Sequence, residues 1–288
     1  MKLPFNKSKV EALKFSSFGK NLQIDILRDD LIHPLISGNK WRKLKYIIEN
    51  IAKDKSQTLV TFGGAYSNHL VATAFAGNLF GIKTFGFVRG DEKREANAFE
   101  KICIENGMTL EHVGRTEFKD KDLLFDQYKK QNPRAYFVGE GGRHPLALLG
   151  CAEITTDLNK EYDYIFLSLG TGTTMEGIVA ACVTNKSKTK VIGISSLKNN
   201  FELDEIMSQF PEKNWLIDHN YHRGKYAKND IELSSFIKDF HSETNIQLEF
   251  VYTGKMMMAI QDYINKGFFK TEDKILCIHT GGLPQLLQ

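Results

Sequence analysis

The stretch Tyr162-Asp-Tyr-Ile-Phe-Leu-Ser-Leu-Gly-Thr-Gly-Thr-Thr-Met-Glu-Gly177 decides the fold. A β-branched and aromatic run ends in two glycines and three threonines, and an apolar stretch with helical spacing (Ile178, Ala181, Cys182) follows. Such a sequence reads as a strand feeding a helix through a glycine-rich turn, the unit of parallel α/β sheets. The same alternation runs along the chain. Short apolar runs at 24–27, 59–62, 84–88, 109–113, 135–138, 164–169, 191–194, 248–251 and 275–278 predict strands. Between them, Trp41, Leu44, Ile48 and Ile51 form one helical stripe, and Leu70, Val71, Ala74 and Phe75 another. The expected class is α/β, with twisted, mainly parallel sheets flanked by helices.

Composition narrows the functional class. The 288 residues carry 38 Lys plus Arg against 35 Asp plus Glu, a net charge of +3. That surplus is too small to make nucleic acid or an anionic membrane the main partner. Hydrophobic residues at 42% and charged residues at 25% suit a globular chain rather than a disordered or fibrous one. No apolar run approaches the roughly 20 residues needed to cross a bilayer. The first residues, MKLPFNKSKVEALKF, lack the apolar core of a secretory leader. Cys103, Cys151, Cys182 and Cys277 are far apart and form no Cys-x-x-Cys pair, which argues against a metal centre or a disulfide framework. A cytoplasmic protein with reduced, buried cysteines is expected.

Ligands in open α/β sheets collect where strands end and helices begin. Four such ends are glycine-rich: 62–68, 139–142, 168–177 and 279–282. At Gly170, Thr171, Gly172, Thr173 and Thr174, unpaired N–H groups at a helix start would form an anion cradle. A Walker loop needs a lysine, and none is present; a dinucleotide fingerprint needs glycine where Met175 stands. The loop therefore suits a single phosphomonoester, against the competing reading of a plain turn. In Gly38-Asn-Lys-Trp-Arg-Lys-Leu44, Lys40 stands at a helix start, where its neutral amine is favoured and a Schiff base is possible; the competing reading is a solvated basic face. Ser67 is a good N-cap, and with Asn68 it could also hold a carboxylate. Tyr252 and His279 stand at strand ends, where core packing alone would also explain them.

Together and in this order, these motifs resemble pyridoxal-phosphate enzymes of the tryptophan synthase β family (fold type II), in the branch of D-cysteine desulfhydrase and 1-aminocyclopropane-1-carboxylate deaminase. The resemblance runs from about Leu22 to Leu287 and is carried by R-D-D-L (28–31), G-N-K-W-R-K-L (38–44), G-G-x-x-S-N-H (63–69), G-T-G-T-T-M-E-G (170–177), Y-T-G-K (252–255) and H-T-G-G (279–282). It implies pyridoxal 5'-phosphate on Lys40, its phosphate on Gly170 to Thr174, and Asn68 by the ring hydroxyl. It further implies Ser67, Asn68 and His69 (glutamine in most of the family) on the substrate carboxylate, and Thr280 beside the pyridine nitrogen. Tyr252 corresponds to an active-site tyrosine, and Tyr226 to a second.

The resemblance also implies a homodimer and two domains: residues 1–51 with 144–288 as the larger cofactor-binding one, and 52–143 as the smaller. The cyclopropane deaminases carry glutamate where Thr253 stands. A neutral partner such as Thr253 or Thr280 gives a weaker electron sink, sufficient for α,β-elimination from D-cysteine or a similar small amino acid. Desulfhydrase activity is therefore expected ahead of ring opening. Rival expectations are a nucleotide-dependent oxidoreductase and a non-catalytic amino-acid or pyridoxal-phosphate binding protein. Arg143 and His144 replace the small polar residues of the relatives, and Arg143 would favour an acidic or larger substrate if it faced the pocket.

Overall fold

The computed structural model describes residues 5–19, 21–36, 38–54, 57–90, 95–198, 200–224 and 230–283. In chain order the elements are β1 (Val10–Ala12), β2 (Gln23–Arg28), α1 (Asn39–Ile51), β3 (Thr58–Gly64), α2 (Asn68–Phe80), β4 (Lys83–Arg89), α3 (Ala98–Glu105), β5 (Thr109–Val113), α4 (Lys121–Gln131) and β6 (Ala135–Phe137). There follow α5 (Pro145–Asp157), β7 (Tyr164–Leu169), α6 (Thr173–Thr184), β8 (Lys190–Ser195), α7 (Glu202–Met207), β9 (Trp215–Asp218), α8 (Ile231–Thr244), α9 (Thr253–Asn265) and β10 (Lys274–His279).

Two sheets result. One has the order β1-β2-β10-β7-β8-β9, the other β5-β4-β3-β6. Every pairing is parallel except β1 with β2. Both faces of the larger sheet are buried, so its strands read as continuous apolar runs. Ile26, Phe166, Ile192 and Cys277 pack on one side, and Leu27, Ile165, Leu167, Val191 and Ile278 on the other. The smaller sheet buries Val60, Phe62, Phe85 and Phe87 against Phe118 and the start of α4. All four cysteines are free and buried. Among the described residues no helix is long and apolar enough to cross a membrane, and no cluster could hold a metal ion.

One strand expectation fails. Residues 248–251 form no strand and run into a turn at 250–252, because the Glu249 carboxylate takes the backbone N–H groups of Val251 (2.7 Å), Tyr252 (2.8 Å) and Thr253 (2.6 Å). A ladder would need those donors. Two strands went unanticipated, the three-residue edge strand β1 and the edge strand β9, each too short to show a period.

Helices α1, α5 and α6 meet at glycines. A Cβ on Gly150 would lie 1.9 Å from the Arg42 carbonyl oxygen, and one on Gly177 would lie 2.7 Å from Cys151 Cβ. Arg42 also grips buried Asp29 through two nitrogens (2.7 and 2.9 Å) and Asp157 through the third (2.8 Å). This ties α1 to the end of β2 and to α5.

Candidate active site

Lys40 is the second residue of α1, and the helix start is fixed by backbone contact. Gly38 has φ +61°, and a Cβ there would fall 1.8 Å from the Thr280 carbonyl oxygen, so only glycine fits. The Asn39 N–H donates to that oxygen (3.2 Å). The Asn39 side chain then joins two predicted motifs: its Oδ1 accepts from Lys40 Nζ (2.8 Å) and its Nδ2 donates to Thr174 Oγ1 (2.9 Å). Burial, and secondarily the like charge of Lys43, lowers the Lys40 pKa to about 7. Lys43 lies one helical turn on, only 4% exposed, with its Nζ donating to the Gly141 carbonyl (3.0 Å). Burial also lowers its pKa.

The threonine-rich bend has the form of an anion cradle. Gly172 caps α6 at φ +78°. None of the backbone N–H groups from Gly170 through Met175 has a partner among the described residues. Asn200 fixes the bend by donating to the Gly170 carbonyl (3.1 Å). Thr171 and Thr173 hydroxyls lie 3.3 Å apart. Such a run of donors at the positive end of a helix suits a phosphate.

Ser67 caps α2, accepting from the Leu70 N–H (3.3 Å) while keeping its own proton to donate. The next two N–H groups, of Asn68 and His69, have no partner among the described residues. Two buried side-chain atoms here are also unsatisfied, Asn68 Oδ1 and His69 Nδ1. His69 is 2% exposed, and burial together with the Lys40 and Lys43 charges holds its pKa well below the usual value. Its Nε2 is 2.9 Å from Thr61 Oγ1. The side chain of His69 is therefore neutral, and of this residue only the backbone N–H offers a donor to a carboxylate.

Thr280 and Ser168 bring their hydroxyls within 3.1 Å at the ends of β10 and β7. Tyr252 lies over Gly170, where an added Cβ would be 3.5 Å from the ring. Thr253 departs from the expectation. It is fully buried, its hydroxyl accepts from the Glu249 N–H (3.0 Å) and donates to Glu249 Oε1 (3.2 Å), and it does not line the cleft. Its hydroxyl secures the turn before α9 and is not offered to a cofactor ring. Tyr226 lies outside the described residues.

Arg143 does line the cleft, pairing with Glu176 (3.3 Å) in the first turn of α6 and reaching the Thr171 carbonyl (3.5 Å). His144 is structural: its Nδ1 accepts from the Leu146 N–H (3.1 Å) to cap α5, and its Nε2 meets the Tyr136 hydroxyl (3.1 Å). Sequence reasoning missed Asn39, Lys43, Ser168 and Glu249. The i, i+3 spacing of Lys40 and Lys43 was a usable signal for one of them; nothing local marked Glu249.

A single cleft of about 1690 Å³ contains these parts. Lys40, Ser67, Asn68, His69, Gly170, Thr171, Gly172, Thr174, Tyr252 and Thr280 line it; Thr173 is fully buried and does not. Residues 9–281 match the family model described as pyridoxal-phosphate dependent enzyme. The chain belongs to that family.

A putative 1-aminocyclopropane-1-carboxylate deaminase of Thermotoga maritima is 29% identical over 98% of this chain and 95% of its own length. The bifunctional D-cysteine desulfhydrase/1-aminocyclopropane-1-carboxylate deaminase of Arabidopsis thaliana is 26% identical over 90% of this chain and 72% of its own. The crystal structure of an ACC deaminase homologue superposes with TM-score 0.80 at 24% identity, covering 98% and 93% of the two chains. A threonine deaminase from Solanum lycopersicum gives 0.73 at 15% identity over 96% and 80%. The fold is that of the fold type II pyridoxal-phosphate enzymes, and the cofactor class is pyridoxal phosphate. The six unpaired N–H groups and the orphaned Asn68 Oδ1 fit that group.

Proposed function

We propose that this family member is a lyase that carries out α,β-elimination on a small amino acid, D-cysteine or a close analogue. The overall reaction takes cysteine and water to pyruvate, ammonia and hydrogen sulfide. Lys40 supplies the amine that holds the cofactor aldehyde, Gly170 to Thr174 hold the phosphate, and Asn68 faces the ring hydroxyl. Bound there, pyridoxal phosphate supplies the electron sink that stabilises negative charge at the substrate Cα.

The chain's own residues do the rest. Ser67 Oγ–H and the N–H groups of Asn68 and His69 bind the substrate carboxylate. Lys40, whose pKa of about 7 leaves a large neutral fraction at neutral pH, takes the Cα proton. Tyr252, across the cleft, gives a proton to the departing sulfur. The observation that carries elimination over ring opening is the Ser168–Thr280 hydroxyl pair. A hydroxyl, unlike a carboxylate, does not stabilise a protonated ring nitrogen, so the sink is modest and a good leaving group is needed. Glu249, a buried carboxylate packed against Gly282, spends its oxygens on backbone N–H groups.

The names of the curated relatives favour a second reading, release of 2-oxobutyrate and ammonia from 1-aminocyclopropane-1-carboxylate. The same proposal divides the chain into a larger domain, 1–51 and 144–288, and a smaller one, 52–143. Support comes from the six-stranded sheet drawing its strands from the first set and the four-stranded sheet from the second. Pairing as a homodimer and a cytoplasmic location belong to the same proposal.

The test is to measure pyruvate and 2-oxobutyrate release from D- and L-cysteine, β-chloroalanine and the cyclopropane amino acid. Pyruvate from a cysteine enantiomer is expected; efficient 2-oxobutyrate release would sink the elimination reading. Lys40→Ala is expected to lose both the visible absorbance of lysine-bound cofactor and all turnover.

A further inference from the structure

The protonation pattern around His69 can be solved from the hydrogen bonds. Thr61 Oγ1 touches three groups: the Val138 carbonyl (2.8 Å), the Gly139 carbonyl (3.4 Å) and His69 Nε2 (2.9 Å). A hydroxyl has one proton. Given to Val138, it leaves the oxygen to accept from Nε2–H, and the only unsatisfied atom is then His69 Nδ1, as a bare lone pair. Given to His69, it strands both the Val138 carbonyl and an Nδ1–H. The first arrangement leaves one orphan and the second two, so the first wins.

His69, a cleft-lining residue, thus carries a buried, unpaired acceptor at Nδ1. Its Nδ1 faces Gly142, where φ is +86° and a Cβ would sit 3.3 Å away. His69 lines the cleft, together with Lys40 and the N–H groups of the α2 start that have no partner among the described residues. With the substrate carboxylate on those N–H groups and Cα within reach of Lys40, the substrate side chain remains to meet the imidazole.

Resting on the elimination reading above, we propose that His69 is a specificity-determining residue. It selects amino acids whose β-substituent carries a proton, a thiol or hydroxyl, and rejects those without one. A site built around a hydrogen bond rejects the analogue lacking it because the buried partner stays unpaired. A cyclopropane ring offers no such proton.

The holoenzyme is titrated with serine, alanine and O-methylserine, each as both enantiomers, following the visible absorbance of the bound cofactor. Serine of the preferred hand is expected to bind at least about tenfold tighter than alanine, and His69→Leu to erase that margin. Thr61→Val frees the imidazole to hold its proton on Nδ1, so O-methylserine, which accepts but cannot donate, should gain on serine. Without any buried substitution, the 15N resonance of His69 Nδ1 should be that of an unprotonated nitrogen and should move with serine but not alanine. Equal binding of serine and alanine by the wild type, a margin that survives His69→Leu, or a protonated Nδ1 overturns the proposal while leaving the enzyme reading intact. An absorbance indifferent to every amino acid overturns both.

Discussion

Lys40 shows how position changes a side chain's chemistry. In water its ammonium would persist far above neutrality; burial and Lys43 bring its pKa to about 7. Only the neutral amine attacks an aldehyde, and its fraction rises with pH. Cofactor-stripped protein should therefore take up pyridoxal phosphate faster as pH climbs from about 6 to 8, with no further gain above; stopped-flow absorbance reads this directly. Lys43→Gln removes the like charge and should move that midpoint upward. Arg143 acts on the same cleft from the other side. Its guanidinium balances Glu176, a carboxylate in the first turn of the helix that would hold the phosphate. Arg143→Ala should weaken cofactor affinity several-fold, the scale of a partly exposed ion pair, as measured by equilibrium dialysis.

At the scale of elements, the site is assembled by glycine contacts between helices and strand ends. Gly150 lets α5 lie against the Arg42 carbonyl of α1, the helix that carries Lys40. Backbone cannot yield by the distance a methyl group needs there, so Gly150→Ala should cost about 1–3 kcal/mol in a denaturant titration. It should also loosen the Lys40 end of α1, seen as weaker cofactor binding. The contact between α1 and β2 has an electrostatic core. Asp29→Ala would leave Arg42, 5% exposed, with Asp157 as its one carboxylate partner among the described residues. Breaking a buried pair in this way costs about 3–5 kcal/mol.

At the scale of the whole molecule, the cleft draws its walls from both sheets. The carboxyl end of β3 leads into the Ser67 cap, and the ends of β7 and β10 supply Ser168 and Thr280. A ligand bound there stabilises only the folded arrangement, so removing pyridoxal phosphate should lower the thermal midpoint. At a hundredfold excess over its dissociation constant the cofactor contributes about 2.7 kcal/mol. Scanning calorimetry of stripped and reloaded protein, with Lys40→Ala as comparison, checks this.

Much of this was legible in the sequence because it depends on local rules. Short apolar, β-branched and aromatic runs gave eight of the ten strands among the described residues. Glycine and hydroxyl residues at strand ends marked the bends; Gly38-Asn-Lys40 announced a helix start, and Gly170 to Thr174 a helix start with unpaired donors. Those features need only neighbours in the chain. What depended on distant residues stayed hidden. Glu249 cancelled a strand by competing for its N–H groups, and Thr253 turned inward because that same carboxylate engages it. Arg143 found Glu176, Asn39 bridged Lys40 to Thr174, and Thr61 decided which nitrogen of His69 carries the proton. Each is a choice of hydrogen-bond partner made across the fold, and one-dimensional spacing carries no record of which distant groups will be left wanting one.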